Sequence, residues 1–224
     1  MMKLINTMFD LEIEMNENEV CILSVESPVA YRKVLNDIWS QCNGYEGSFI
    51  LSENNKELKI QKNVGYIYDP FAINLNDKKI LSKLYQELSA QSEEMLQEDS
   101  ILLRKMLIGY FDKLINTVPY DIIYKFDFEM LALIKALEIQ IDTTEEKFIE
   151  KITQYMRVVQ QLCGVNIFIC LNLKYYFTEE ELKLLYESVY YNKIRLIIIE
   201  SIHTPHVHGE KCWILDKDLC IIEP

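Results

Sequence analysis

The stretch HTPHVHGEKC, residues 203–212, gathers all three histidines of the chain and one cysteine. Imidazole nitrogen and thiolate sulfur are the donors zinc prefers, and His203, His206 and His208 lie close enough in sequence to share an ion. The spacing His-x-x-His-x-His has no second ligand cluster elsewhere, which structural zinc sites ordinarily use. A surface connection is the plainer expectation for this loop. A second set of groups closes strand-like runs: Glu26, Asp69, Asn172 and Glu200. Parallel sheets place ligands beyond the carboxyl ends of their strands. Carboxylates with an amide there would suit magnesium, and hence a metal-dependent phosphoesterase using Glu26, Asp69 and Glu200. Solvated strand ends and helix-cap charges give the same pattern, so placement alone does not establish that chemistry.

A third set is basic. NNKELKIQK offers Lys56, Lys59 and Lys62, and DKK offers Lys78 and Lys79, with Lys83 a turn further on. From Lys56 to Lys83 the chain carries six lysines against three acids, the reverse of its overall balance. The formal net charge is −12, and such a field repels phosphate at long range. Solvated lysines paired with the abundant glutamates are the simpler reading. A nucleic-acid surface would have to be confined to this segment and made continuous by several copies facing one channel.

Nucleotide hydrolysis and nucleophilic triads find less support. The first strand–helix turn reads VESPVAY, without the glycines and lysine that a phosphate cradle needs. The histidines sit in one loop, and no serine occupies a G-x-S-x-G elbow. The six cysteines form no C-x-x-C pair; most lie in apolar runs, where a free thiol behaves as a small hydrophobe. The start of the chain turns acidic without an apolar h-region, so a cytoplasmic protein without signal peptide is expected. The longest apolar runs are too short to span a bilayer.

These groups need a scaffold, and the pattern describes one. VCILSVE is a short apolar run suited to a strand buried on both faces. Ser27 and Pro28 then open a helix as N-cap and first-turn proline. SFIL and VGYIYD read as further strands. From Asp77 to Gln161 the periodicity is almost wholly helical: Ile80, Leu81, Leu84, Tyr85 and Leu88 form one stripe, and Ile101, Leu103, Leu107, Tyr110, Leu114 and Ile115 another, closed by Pro119. Asp127 is placed to cap a short helix, FEMLALIKALE, and Thr143 with Glu146 makes a capping box for the next, which Gly164 stops. VNIFICL, a helix opened by Thr178 and Glu181, and IRLIIIE form a strand–helix–strand unit that implies a parallel pair. CWILD and LCIIEP read as a closing hairpin. The expected fold is α/β: a head with a mostly parallel sheet over 1–76 and 162–224, interrupted by a helical leg over 77–161.

The order of elements, with DPFAINLNDKKILSKLYQEL, LALIKALEIQIDTTEEKFIEKI, IFICLNLKYYFTEEELKLLYESV, IRLIIIES and ILDKDLCII, resembles the Csn-two family. These are the ring-forming accessory proteins of type II-A CRISPR adaptation modules. The similarity runs along the chain without any catalytic fingerprint. It implies a P-loop-NTPase-like head lacking the phosphate loop, and a homotetrameric ring whose positively lined hole takes double-stranded DNA ends without reading sequence. It implies no enzymatic activity and no nucleotide, and a role in spacer acquisition and antiviral defence beside the CRISPR integrase proteins and the RNA-guided effector nuclease. Lys56, Lys59, Lys62, Lys78 and Lys79 become the expected phosphate contacts. The family holds calcium on a dense acidic run before the LALIKAL-like helix. Here the corresponding stretch, NTVPYDIIYKFDFEM, keeps Asp121, Asp127 and Glu129 as its only carboxylates, few against the roughly six to eight oxygens calcium takes. Those three are the candidate metal ligands, and apolar contacts are the alternative means of holding the ring.

Overall fold

The computed structural model describes residues 2–126, 129–143 and 147–223. The chain forms two compact units, Met1–Asn74 with Thr143–Pro224, and Leu75–Asp142.

The first unit contains two sheets. In the smaller, β1 (Met2–Asn6) pairs antiparallel with β2 (Leu11–Met15) and, on its other edge, with β4 (Phe49–Glu53), which pairs with β5 (Lys56–Leu58). Met2, Leu4, Leu11, Ile13 and Met15 are buried while Glu12 is exposed, the alternation of a sheet with one wet face. On that face Lys3 pairs with Glu12 and, at 2.9 Å, with Glu14. The expected strands do not include the β1–β2 hairpin, although LEIEM alternates at period two.

The larger sheet has the order β10-β9-β3-β8-β7-β6. Its strands are β3 (Val20–Val25), β6 (Val64–Ile67), β7 (Ile167–Leu171), β8 (Arg195–Glu200), β9 (Glu210–Leu215) and β10 (Ile221–Ile222). All neighbours are parallel except β10, which closes antiparallel on β9. Every residue of β3 and the last five of β8 are buried, as two-sided burial of an apolar run requires. The expected mixed α/β fold with a mostly parallel sheet is what forms.

Helix α1 (Pro28–Cys42) starts as expected: the Ser27 hydroxyl accepts the Ala30 N–H, and proline fills the first position. Its Ala30, Val34 and Ile38 join Leu11, Ile13, Leu23, Ile169, Ile197 and Trp213 in one core. A short helix, α2 (Ile60–Asn63), follows β5. Later in the unit, α7 (Glu179–Tyr191) opens on the reciprocal box of Thr178 and Glu181, with the Thr178 N–H on the Glu181 carboxylate at 2.9 Å. Between β7 and α7 lies a 3-10 turn, Leu173–Tyr176.

In the second unit, α3 (Lys78–Glu94) is capped by Asp77, whose carboxylate accepts the Lys79 and Ile80 N–H groups. It is followed by α4 (Gln97–Ile115) and α5 (Met130–Ala136). Leu75, Ile80 and Ile134 are buried, but α4 buries no residue at all. The Asn76 side chain gives to and takes from the Ile141 backbone at 3.0 and 2.8 Å, tying the start of the unit to its end.

The last helix in this region, α6 (Phe148–Cys163), goes with the first unit, so the helical unit ends at Asp142 rather than at 161. Ile152, Met156 and Val159 form its buried stripe, and it packs beside α7. It begins later than Thr143 predicts. Lys147 is the N-cap, and the Glu150 carboxylate accepts the Lys147 N–H at 3.2 Å, doing what the Thr143–Glu146 box was expected to do. Glu146 lies outside the described residues. Gly164 ends α6 in the left-handed region, φ +70°, as expected. α5 is preceded by Glu129 as N-cap; Asp127, its expected cap, also lies outside the described residues.

Candidate functional site

The five lysines fall in two places. Lys56 opens β5, Lys59 precedes α2 and Lys62 lies within it, all in the first unit. Lys78 and Lys79 form the first turn of α3, in the second unit. All five are exposed. Among the described residues none of them makes an ion pair, whereas Lys3, Lys147, Lys174 and Lys183 all do. Cations at a helix N-terminus gain nothing from the helix dipole, which attracts anions there. Lys78 and Lys79 therefore add nothing to α3 through its dipole, and their ammonium groups flank a start already capped by the Asp77 carboxylate.

The strand-end set lies along the carboxyl edge of β3, β6, β7 and β8, where the sequence places it, but it does not converge. β3 and β6 are three strand spacings apart in the sheet, about 14 Å at roughly 4.8 Å per step. Among the described residues, Glu26, Asp69 and Glu200 do not bring their carboxylates within 4.8 Å of one another. Each is employed differently. The Asp69 carboxylate accepts the N–H groups of Phe71 and Ala72 and closes its own turn. Asn172, in the left-handed region at φ 47°, accepts the Ser201 N–H and donates to the Tyr31 hydroxyl, joining β7, β8 and α1. Glu200 is wholly buried; one oxygen accepts the Lys174 N–H at 3.1 Å, and the other has no partner among the described residues. Burial lifts its pKa to about 7, against the Lys174 contacts that lower it. The metal site of the alternative phosphoesterase reading is not assembled among the described residues.

The first strand–helix turn is equally occupied. Pro28 has no N–H to offer, and the Ala30 N–H is taken by Ser27. A phosphate cradle would need those groups free.

A buried network lies nearby that periodicity gave no sign of. Lys174 and Glu210 pair at 2.8 Å with side chains 6% and 0% exposed. The Glu210 carboxylate also accepts the Tyr186 hydroxyl at 2.6 Å and the Val207 N–H at 2.9 Å, and Lys174 donates to the Pro205 carbonyl. Tyr186 sits at a core position of α7, and a buried tyrosine hydroxyl demands a partner; that was the one legible signal. The network ties the histidine loop to the sheet. His206 lies at 3.1 Å from the Glu210 carbonyl, and Val207 is buried.

Of the calcium candidates, Asp121 and Glu129 are exposed and belong to no cluster of potential ligands among the described residues. Asp127 lies outside those residues. No helix among them is long and apolar enough to cross a membrane.

Comparison with known proteins bears on the whole arrangement. A putative ABC transporter ATP-binding protein from Pyrococcus furiosus aligns with 91% of this chain and 88% of its own at 8% identity, with a TM-score of 0.39. That likeness is too loose to bear on function. A curated relative, CRISPR-associated protein Csn2 of Enterococcus faecalis, is 26% identical over 141 residues, which are 60% of this chain and 62% of the relative. The chain thus spans under two thirds of that relative's length. The family model described as CRISPR-associated protein (Cas_Csn2) matches residues 41–219, from the end of α1 through the helical unit to beyond β9. With most of both units inside one family match, the chain belongs to the CRISPR-associated protein (Cas_Csn2) family.

Proposed function

We propose that this chain is a non-enzymatic component of type II-A CRISPR spacer acquisition that binds the ends of double-stranded DNA. Four copies close into a ring, and Lys56, Lys59, Lys62, Lys78 and Lys79 of each copy line its hole. The observation that carries this reading is the state of those amines: all five are exposed, and among the described residues none makes an ion pair with the carboxylates that outnumber them. Membership of the family supports the CRISPR role, and the blocked turn after β3 supports a head that holds no nucleotide. The CRISPR integrase proteins and the RNA-guided effector nuclease are its partners in this reading.

Ammonium groups that meet phosphates position a duplex without reading bases. Binding is then indifferent to sequence and falls steeply with salt, and each phosphate contact removed lowers the slope of log K against log salt by about 0.9. A closed ring also demands a free end. A linear duplex is expected to shift in a gel, while the same DNA as a covalently closed circle is not. Equal binding of both forms would overturn threading.

The assembly in this reading is held by apolar contacts. Calcium falls to Asp121, Asp127 and Glu129 if it binds, and light-scattering mass with calcium and with chelator tests its part. The same mass in both is expected; dissociation in chelator would restore calcium as the cement.

A further inference from the structure

We propose that the loop before β9 is a binding site for a zinc-class divalent cation, held by His206, Glu210 and Cys212. Among the described residues, these three alone bring potential ligand atoms of histidine, cysteine and carboxylate types within 4.8 Å of one another. The backbone explains the gathering. Glu210 and Cys212 are the first and third residues of β9, so their side chains leave the strand on one face. His206 stands just upstream, on a loop pinned by the buried Val207.

A second observation concerns the imidazole. Its Nε2 lies at 3.1 Å from the Glu210 main-chain oxygen. A carbonyl only accepts, so Nε2 carries the proton and donates, and Nδ1 keeps its lone pair free. Metal-bound histidines characteristically give their other N–H to a carbonyl or carboxylate, which fixes the ring and its tautomer. Here that bond is already made. The space beside the three groups is a pocket of about 310 Å³, also lined by His203, Lys211 and Glu223; the Lys211 ammonium lies over the Trp213 ring, and a fourth donor can enter from the pocket.

One nitrogen, one sulfur and one carboxylate oxygen form a borderline-soft set that suits zinc and its tetrahedral preference, and does not suit calcium or magnesium. The thiolate and carboxylate offer the dication two negative charges, one of them shared with Lys174. Glu210 is already engaged: Lys174 reaches both of its oxygens, at 2.8 and 2.9 Å. An entering cation takes one oxygen, while Lys174 keeps the other and its Pro205 carbonyl. The lysine and Tyr186 then orient the carboxylate from behind, as outer partners of metal ligands do.

The experiment uses the full chain, stripped with chelator and loaded with zinc chloride or with cobalt(II) chloride as a spectroscopic probe. One zinc per chain is expected to survive desalting. The cobalt form is expected to show a thiolate-to-metal charge-transfer band in the near ultraviolet. Cys212→Ser removes the band and His206→Ala abolishes retention, while Cys220→Ser, at an exposed thiol outside the set, changes neither. Wild-type protein also serves without substitution, because bound zinc should protect Cys212 from alkylation while Cys220 stays reactive. Loss of zinc from wild type on desalting overturns the site. So does a charge-transfer band that survives Cys212→Ser, or equal alkylation of Cys212 with and without zinc.

Discussion

Glu210 and Glu200 are both buried, and their surroundings give them opposite consequences. Glu210 has an ammonium, a phenol and an amide around it, so its charge is compensated. Removing one member of such a pair leaves the other charged and unmatched, which typically costs about 3–5 kcal/mol, whereas replacing both is often nearly neutral. Lys174→Met is therefore expected to lower the unfolding free energy by about that much, and Lys174→Met with Glu210→Gln to recover most of it. Denaturant melts of the single and double variants check this; an equally unstable double variant would remove the argument. Glu200 has one N–H and an orphaned oxygen, and burial lifts its pKa from 4.5 to about 7. The folded state then holds a proton that the unfolded chain has released. Its contribution is full below about pH 4.5, declines as pH rises, and is lost above about pH 7. Glu200→Gln carries no charge to desolvate. It should exceed wild type in stability at pH 8 by on the order of 3 kcal/mol, with the gap narrowing toward pH 5. A gap constant across that range would show Glu200 ionised throughout.

Strands and helices differ in how openly they announce themselves. β3 and β8 are continuous apolar runs, and α1 and α7 carry their start signals in Ser27-Pro28 and in Thr178 with Glu181. Thr178→Ala removes the acceptor of the Glu181 N–H and should cost about 1 kcal/mol, in the range of measured cap losses. Thr143→Ala, four residues before the Lys147 that caps α6, should cost nothing measurable; thermal melts of the two variants distinguish them. The start of α6 is displaced because Glu150 serves as well as Glu146 was expected to, and a sequence does not rank two such carboxylates. The β1–β2 hairpin has a legible alternation whose two strands are only five residues each. The strand-end carboxylates show the deeper limit. Their place on one edge followed from pattern, but convergence depends on which strands are neighbours. The order β3-β8-β7-β6 puts Glu26 and Asp69 too far apart for one ion. The Lys174–Glu210 pair was hidden for the same reason, since its members are 36 residues apart and meet only through the fold.

In the helical unit, α4 carries apolar side chains that stay exposed among the described residues. In α4, Leu102, Met106 and Tyr110 are 56%, 65% and 61% exposed and lie at i, i+4 and i+8, on one face. An apolar stripe of that kind ordinarily finds a partner in solution, and in the proposed ring of identical subunits the partner is another copy. Assembly would also overcome the charge problem: a monomer of net charge −12 repels DNA, while copies facing one hole would concentrate their lysines there. Leu102→Glu with Met106→Glu tests the coupling between the two. Both side chains are already wet, so the fold should be unchanged by far-ultraviolet circular dichroism. The assembly should fall apart by light scattering, and binding to linear duplex should be lost with every lysine still present. If the variant keeps its mass, α4 is not the contact. If it dissociates and still binds DNA as tightly, the lysines act without the ring, and topology contributes nothing to affinity.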